Sequence, residues 1–270
     1  MDYKLPTRIE NSNKATYGRV LNIAGSDYMP GAAYLSSVSA LKVGCGYCFL
    51  ASSEKCIHAV AAQTQNVVFV PYKDLTKHIN SADVISIGCG LTLDNKAVNL
   101  FKTLLKYIDI KTPLVIDADG LNILAKHPMS LTNLKTILTP HPKEASRLLN
   151  CSLEDVLSDV EAAALKIAVS YNSIVVLKTH RTLVVAPSGK KYINATGNSS
   201  MAKAGSGDVL TGIISGLIAQ GMDMFEAACL GVYLHGLTGD LAKNELTEYS
   251  VMAEDLISFI PNAIKLIISE

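Results

Sequence analysis

Short apolar runs rich in β-branched residues alternate with helical patterns through the first half of the chain. The first run, residues 20–24, ends at Gly25, and the Ala-, Ser- and Leu-rich helical pattern that follows stops at Gly44. This alternation is typical of parallel βαβ units, whose central strands are buried on both faces. The predicted strands are 20–24, 47–51, 67–70, 84–87, 114–116 and 136–138, and the predicted helices are 31–43, 94–107, 120–126, 143–149 and 153–171.

The second half has a different pattern. Two apolar runs, 174–178 and 182–185, are separated by a short turn, and a turn at Pro187, Ser188 and Gly189 precedes a third run at 191–193. This spacing predicts a small antiparallel meander. Three helices follow, at 208–220, 224–242 and 253–268, with Gly221 as the stop of the first and Asp223 as the N-cap of the second.

No linker rich in Pro, Gly or Ser, no internal repeat and no low-complexity tract divides the chain. We therefore expect a single domain over residues 1–270. The predicted fold class is α/β, with a mostly parallel central sheet between helical layers and an antiparallel edge. In a sheet of this kind, ligands bind beyond the carboxyl ends of the strands.

The charge balance restricts the range of partners. Lys plus Arg equals Asp plus Glu, at 24 each in 270 residues, so no long-range field of one sign attracts nucleic acid or a membrane surface. Hydrophobic residues make up 49% of the chain, enough for the core of an enzyme. Apolar runs are shorter than the ~20 residues of a membrane span, and the N-terminus lacks a signal-peptide layout. We expect a soluble, cytoplasmic enzyme.

The six cysteines form neither a disulfide framework nor a pattern of paired zinc ligands. Cys45 and Cys48 have the C-x-x-C spacing of a redox pair, but Cys48 leads into an apolar strand rather than opening a helix. A structural role is therefore favoured over a redox role.

The most informative segment is Gly205-Ser206-Gly207-Asp208, which precedes an apolar-periodic helix. Two glycines around a serine at a helix N-terminus let backbone N–H groups converge on a phosphate. Asp208 is placed to accept a proton from an attacking hydroxyl, and the helix dipole is expected to keep it ionised.

The helix that follows carries two glycines on one face. Gly212 and Gly216 repeat at four-residue spacing from Asp208 and leave that face without side-chain bulk. Glycine is unfavourable inside a helix, so this face is expected to pack closely against another element or a ligand. A purely structural helix contact is the alternative.

Four further loops follow predicted strands and should converge on the same rim of the sheet. For each loop taken alone, a structural turn or a helix cap remains an alternative to a ligand site. His141 differs from the other loop residues, because Pro140 and Pro142 on either side would hold it rigidly. The chain lacks the P-loop motif, the dinucleotide-binding G-x-G-x-x-G and the zinc-binding HExxH. The loops are 25–33, 88–91, 117–119 and 139–144.

Together these segments give the chain a recognisable pattern. From Tyr17 to the C-terminal helix it resembles the ADP-dependent NAD(P)H-hydrate dehydratases, a branch of the ribokinase-like superfamily. That resemblance implies a three-layer α/β/α sandwich. The matching segments are Ala24-Gly25-Ser26, Met29-Pro30-Gly31-Ala32-Ala33, Asp117-Ala118-Asp119, Leu138-Thr139-Pro140-His141-Pro142, Thr196-Gly197-Asn198, Gly205-Ser206-Gly207-Asp208-Val209-Leu210-Thr211-Gly212 and Tyr233-Leu234-His235-Gly236.

The resemblance implies a repair lyase that dehydrates the S epimer of NADH hydrate or NADPH hydrate, with ADP as phosphoryl donor and Mg²⁺ as cofactor. It also implies roles for individual residues. Asp208 would be the catalytic base, and Glu144 would organise Mg²⁺ indirectly. The implied anion hole is Gly205, Ser206 and Gly207; the implied hydrate contacts are Ala33, Gly90, His141 and Asp208; the implied nucleotide contacts are Lys178, Thr179, His180, Arg181, Thr182 and Gly207.

The chain departs from the common family pattern at three positions, namely Thr179 in place of glycine after the lysine, Ala204 in place of a first glycine, and Cys89 in place of proline. The first departure bears on the preference for ADP over ATP. The resemblance further implies a homo-oligomer such as a tetramer and a separate hydrate epimerase. The alternatives are an ATP-dependent kinase of a small alcohol, such as a thiazole or pyrimidine vitamin precursor, and a catalytically silent nucleotide-binding protein.

Overall fold

A nine-stranded sheet runs through the protein in the order β3-β2-β1-β4-β5-β6-β7-β8-β9. The computed structural model describes residues 4–269, so the first three residues of the N-terminal segment and the C-terminal residue lie outside the description. The strands are β1 (Arg19–Ile23), β2 (Tyr47–Ser52), β3 (Val68–Pro71), β4 (Val84–Ile87), β5 (Leu114–Ile116), β6 (Thr136–Leu138), β7 (Ile174–Leu177), β8 (Leu183–Val185) and β9 (Lys191–Ile193).

The pairing confirms the predicted fold class. Strands β1 to β7 pair in parallel, whereas β7–β8 and β8–β9 are antiparallel and form the edge. The helices are α1 (Pro30–Lys42), α2 (Glu54–Ala61), α3 (Leu75–Ile79), α4 (Asn95–Tyr107), α5 (Asp119–Lys126), α6 (Pro142–Leu149), α7 (Leu153–Ser158), α8 (Val160–Tyr171), α9 (Ser206–Ala219), α10 (Met224–Leu246) and α11 (Ala253–Ser269).

Alternation along the strands separates two cores. In β5, Leu114 and Ile116 point into one core, which packs against α3 to α8, and Val115 points into the other, which packs against α1, α9, α10 and α11. Successive strand side chains point to opposite faces, so a run of three buried residues requires helices on both sides. The result is a sheet between two helical layers.

Two helix predictions need correction. The predicted helix at 153–171 is two helices, because Asp159 has a non-helical backbone (φ −147°, ψ 85°) and its side chain caps α8 by accepting from Ala162 N at 2.9 Å. The short helices α2 and α3 were not predicted, since eight and five residues hold too few turns to show a helical period. Asp223 does cap α10, accepting from Phe225 N at 2.9 Å.

The glycine face of α9 packs against α1 rather than against a ligand. A Cβ on Gly212 would lie 2.0 Å from Ser39 Oγ and 2.2 Å from Ser36 O, and a Cβ on Gly216 would lie 2.6 Å from Ala40 O. Of the alternatives drawn from the sequence, close packing of two helices is the one that the structure shows. This contact fixes how near the N-terminus of α9 comes to the loop that precedes α1.

The C-x-x-C pair is structural. Cys45 and Cys48 are buried free thiols, and burial raises the pKa of Cys48 to about 12. A redox cysteine needs a lowered pKa and access to solvent, so these residues do not fit that role. Across residues 4–269, none of the helices combines the length and apolar character needed to cross a membrane.

We predict that Gly212→Ala destabilises the protein by ~1–3 kcal/mol, the usual cost of overpacking a close contact. Its methyl group would meet Ser36 O and Ser39 Oγ on α1. Thermal unfolding measures the effect. Gly31→Ala is the matched control, because a Cβ at this α1 position meets nothing within 4 Å. Equal melting temperatures for the two variants would contradict the packing argument.

Candidate active site

The N-terminus of α9 presents backbone amides at the carboxyl edge of the sheet. Gly205 has a left-handed backbone (φ 93°), and no side chain caps the helix. Ser206 N already donates to Lys203 O at 3.3 Å. First-turn amides have no partner within their own helix, so Gly207 N and Asp208 N remain suited to an anion.

Asp208 lies in the first turn of α9 and is mostly buried. Burial, followed by the negative charge of Asp117, raises the pKa of Asp208 to about 7. Desolvation and a like charge thus oppose the helix dipole, which was expected to keep this carboxylate ionised. A pKa near neutrality still suits a general base, which must accept a proton in one step and lose it afterwards.

A buried ion pair stands beside Asp208. Asp117 follows β5 with 1% of its surface exposed, and its Oδ1 lies 2.7 Å from Lys178 Nζ at the end of β7. Thr211, one turn into α9, donates from its Oγ1 to Asp117 Oδ2 at 2.7 Å. Burial alone would raise the pKa of Asp117, but the Lys178 charge and these hydrogen bonds hold it below its ordinary value.

Lys178 thereby reaches the anion-binding turn. A Cβ added to Gly207 would lie 3.3 Å from Lys178 Nζ, so the ammonium group sits next to the free amides of α9. The charges of Asp117 and Glu144 raise the pKa of Lys178 against the opposing effect of burial. The side chain is therefore a permanent cation beside the position where a phosphate would bind.

Cys89 completes this cluster, although its sequence position indicated only a departure from the common family pattern. Its Sγ donates to Asp117 Oδ2 at 3.8 Å, and ligand atoms of Cys89, Asp117 and Asp208 all lie within 4.8 Å of one another. Burial and then the charges of Asp208 and Asp117 raise the pKa of the Cys89 thiol well above its ordinary value. The thiol therefore stays protonated and acts as a neutral donor between two carboxyl groups.

His141 and Glu144 form a reciprocal cap on α6. His141 Nδ1 accepts from Lys143 N at 3.1 Å and from Glu144 N at 3.3 Å, while Glu144 Oε2 accepts from His141 N at 2.8 Å. Accepting at Nδ1 places the ring proton on Nε2, which lies 3.4 Å from Glu144 Oε1. Burial raises the pKa of Glu144 to about 7, and Lys178 Nζ is 4.0 Å from Glu144 Oε2.

Ala33 and Gly90, predicted as hydrate contacts, lie where the first loop meets the Cys89 loop. The Ala33 side chain is fully buried, and a Cβ on Gly90 (φ 62°) would lie 2.8 Å from Ala32 Cβ. Gly25 N donates to Cys89 O at 2.7 Å and joins the two loops. A ligand at this position would meet backbone groups rather than side chains.

The predicted nucleotide segment is the turn between β7 and β8. Thr179 Oγ1 donates to Arg181 O at 2.8 Å, and Thr182 Oγ1 donates to Thr179 O at 3.2 Å, so the turn is held by its own hydroxyls. His180 and Arg181 are exposed. Only Lys178 of this segment belongs to the buried cluster.

His235 on α10 contacts the anion-binding turn through Ser206. Its Nε2 lies 3.3 Å from Ser206 Oγ, and burial lowers the pKa of His235 to about 4, so the ring is neutral at physiological pH. No sequence pattern pointed to this contact, since the two residues are 29 positions apart.

Comparison with known proteins identifies the family that carries this arrangement. The family model described as NAD(P)H-hydrate dehydratase matches residues 20–262, which contain every residue of the candidate active site. The chain belongs to the NAD(P)H-hydrate dehydratase family. The resemblance inferred from the loop motifs is confirmed.

Two curated relatives illustrate this membership. The ADP-dependent (S)-NAD(P)H-hydrate dehydratase of Neisseria meningitidis is 39% identical over 87% of this chain and 81% of its own. The bifunctional NAD(P)H-hydrate repair enzyme of Moorella thermoacetica is 38% identical over 97% of this chain but only 52% of its own. The chain thus spans about half the length of that bifunctional relative.

Solved structures confirm the fold of this family member. The ADP/ATP-dependent NAD(P)H-hydrate dehydratase of Bacillus subtilis, co-crystallised with ATP and Mg²⁺, superposes with a TM-score of 0.88 at 30% identity, covering 98% of this chain and 95% of its own. A ribokinase-like superfamily protein of Enterococcus faecalis superposes with a TM-score of 0.90 at 30% identity, covering 97% and 92%. The predicted ribokinase-like sandwich is therefore correct.

We predict that Lys178→Met lowers the free energy of unfolding by ~3–5 kcal/mol, because Asp117 is left buried without its cation. Chemical denaturation measures this loss. Adding Asp117→Asn in the same chain removes the uncompensated charge and should recover part of the stability. A single and a double variant of equal stability would show that the pair is not the cause.

Proposed function

We propose that this chain catalyses ADP-dependent dehydration of the S epimers of NADH hydrate and NADPH hydrate, releasing NAD(P)H, AMP and phosphate. The observation that carries the proposal is the position of Asp208. This carboxyl group has a pKa raised to about 7 and lies at the N-terminus of α9, which no side chain caps, beside the Lys178 ammonium group. The activity for which the Neisseria and Bacillus subtilis relatives are named supports this substrate class.

In the first step, Asp208 accepts the proton of the ring hydroxyl. The hydroxyl oxygen then forms a bond to the β-phosphorus of ADP, the bond from that phosphorus to the bridging oxygen breaks, and AMP leaves with the bridging oxygen. Phosphoryl transfer depends mainly on positioning and charge stabilisation. The amides of Gly207 and Asp208 and the ammonium group of Lys178 would stabilise the transferring group.

In the second step, the lone pair of the ring nitrogen expels phosphate. The carbon–oxygen bond breaks with its electron pair going to the phosphate, and loss of a proton from the neighbouring ring carbon restores the double bond. Phosphorylation comes first because hydroxide is a poor leaving group. His141 Nε2 and the backbone at Ala33 and Gly90 would orient the ring for this elimination.

The residues present fit Mg²⁺. Asp117, Glu144 and Asp208 offer carboxylate oxygens, which Mg²⁺ prefers. Burial, with a smaller contribution from Asp117, raises the pKa of Glu144 and of Asp208 to about 7, and Lys178 is the only lysine or arginine with an ion pair to this cluster among residues 4–269. Mg²⁺ would be held through the nucleotide phosphates, with Glu144 acting indirectly, and would neutralise charge on the transferring group.

The remaining predictions concern the setting of the reaction. We propose ADP as the donor, bound by Gly207 and by the turn of Lys178, Thr179, His180, Arg181 and Thr182. We further propose a cytoplasmic homo-oligomer, such as a tetramer, that works with a hydrate epimerase. The bifunctional name of the Moorella relative is consistent with a companion activity in the same pathway.

Product analysis tests the activity. With purified hydrate, Mg²⁺ and ADP, near-ultraviolet absorbance of the dihydronicotinamide should recover, with one AMP and one phosphate released per ring. A small-alcohol kinase would instead leave a stable phosphorylated alcohol and restore no absorbance. Absence of recovery with both ADP and ATP would refute the proposal.

Asp208→Asn should retain nucleotide binding, measured by calorimetry, and lose turnover by at least the ~10²–10⁴-fold that a general base supplies. The amide has similar shape but accepts no proton. Near-normal turnover in this variant would exclude Asp208 as the base.

We also predict that kcat/KM falls as pH drops below about 7, because Asp208 then takes up the proton that it must receive from substrate. Glu144 has a similar pKa, so Glu144→Gln is the control for the assignment. The pH profile of that variant should keep its acidic limb even if its rate is lower. Loss of the limb would assign the titration to Glu144 instead.

A further inference from the structure

Two adjoining cavities lie at the carboxyl ends of β1 to β4, outside the residues assigned above. Their volumes are about 370 and 230 Å³, and both are lined by Asp27, Ser53, Tyr72 and Lys96. The active-site cluster lies at the ends of the neighbouring strands β5 and β7. Because the ends of parallel strands share one edge of the sheet, a ligand in these cavities and a ligand at Asp208 lie on the same side of the protein.

Three buried hydroxyls at these cavities have no hydrogen-bond partner. Ser52 Oγ lines the larger cavity, and Ser26 Oγ and Thr92 Oγ1 line the smaller one. Ser52 is only 1% exposed. Unsatisfied buried polar atoms are uncommon in folded proteins because each forfeits its hydrogen bonds to water. A cluster of three at one cavity indicates a ligand that accepts hydrogen bonds.

The charges at the cavities favour an anion. Lys55, Lys73 and Lys96 line them, and within residues 4–269 neither Lys73 nor Lys96 takes part in an ion pair. Helices α2 and α4 also begin here, with their positive N-terminal ends at the cavity wall.

The acidic residues of the cavity wall are largely engaged. Asp27 Oδ2 lies 3.1 Å from Lys55 Nζ, and Asp94 Oδ1 accepts from Ala97 N at 2.8 Å as the cap of α4. Glu54 occupies the first turn of α2, where the helix dipole offsets its charge. Lys73 and Lys96, which form no ion pair among residues 4–269, therefore supply positive charge for a ligand, and the Lys96 ammonium group also lies 4.9 Å from the centroid of the Tyr72 ring.

A single loop connects the cavity to the active site. Cys89 contacts Asp117 in the catalytic cluster, and Thr92, three residues later, lines the smaller cavity. Three Cα steps span at most about 11 Å. Asp119 Oδ2 accepts from Thr92 N at 2.8 Å and fixes this end of the loop. Gly90, whose backbone is proposed to contact the hydrate ring, lies between the two ends.

We propose that these cavities bind the adenosine half of the dinucleotide hydrate, with its phosphate oxygens on the Ser52 and Thr92 hydroxyls and the Lys96 ammonium group. The proposal rests on the proposed function, which places the damaged ring at Asp208. A dinucleotide carries its second nucleoside beyond a pyrophosphate, so a ring at one end of the Cys89 loop extends the rest of the molecule toward the other end. Hydroxyl and ammonium donors are typical partners of phosphate.

Three variants test the assignment by calorimetric titration with NADP⁺ and NAD⁺, which carry the adenosine half but no hydrate hydroxyl that could react. Ser52→Ala and Thr92→Val remove a hydroxyl with little change of shape, and Lys96→Met removes a charge from an exposed position. Each should weaken NADP⁺ binding about tenfold, as expected for losing a hydrogen bond to a charged group. Lys102→Met is the matched control, an exposed lysine of α4 that lines neither cavity.

Thermal unfolding separates a binding role from a structural one. Thr92→Val should keep or raise the melting temperature, because the hydroxyl that it removes has no hydrogen-bond partner in the free protein. Loss of NAD⁺ and NADP⁺ binding together would place the pyrophosphate in the cavity, and loss of NADP⁺ binding alone would place the 2′-phosphate there. Either result supports the proposal.

Steady-state kinetics give the outcomes that would overturn it. The variants should raise KM for the hydrate while kcat stays close to that of the unsubstituted protein. Unchanged NADP⁺ affinity in all three variants, or a raised KM for ADP instead of the hydrate, would exclude the subsite while leaving the proposed activity intact. If the unsubstituted protein turns over no hydrate but the variants still bind NADP⁺ more weakly than it does, the subsite would be supported and the proposed activity refuted.

Discussion

The rest of the site depends on the contacts that the buried carboxylate of Asp117 makes. It forms an ion pair with Lys178 at the end of β7 and accepts hydrogen bonds from Thr211 on α9 and from Cys89 in the loop after β4. One buried group thus joins three separate segments. Its own burial is tolerated only because these donors surround it. By holding Lys178 next to Gly207, it places a cation at the helix terminus that binds the transferring phosphate.

Burial raises the pKa of Asp208 and of Glu144 to about 7, and the negative charge of Asp117 adds to this rise. Three buried carboxyl groups share one ammonium group, and Asp117 has the shortest contact to it, so the other two are left with too little positive charge. This deficit favours the arrival of a cation with the nucleotide, and burial gives Asp208 the proton affinity of a base. The helix contact at Gly212 sets how closely α9, which carries Asp208 and Thr211, approaches α1.

Sequence patterns predicted the sheet well because its central strands are short β-branched runs buried on both faces. The bounds of β4, β5 and β6 agree with the prediction residue for residue. The kink at Asp159 was missed because Asp is compatible with a helix interior as well as with a cap. The partners of Asp117 are 28 to 94 residues distant in sequence, and no local pattern encodes such contacts. Sequence patterns likewise do not predict that the hydroxyls of Ser52 and Thr92 lack partners, because this depends on how the folded chain brings the strand ends together.

Phosphorylation of the ring hydroxyl before it leaves would carry the hydroxyl oxygen into the released phosphate. An isotope label on that oxygen therefore distinguishes this path from direct loss of hydroxide. The hydrate can be formed in water enriched in oxygen-18, so that the hydroxyl carries the label, and then turned over completely with ADP and Mg²⁺ in ordinary water. Mass spectrometry of the released phosphate should show one labelled oxygen per molecule. Unlabelled phosphate with the label in bulk water would show direct loss of hydroxide and would contradict the role assigned to Asp208.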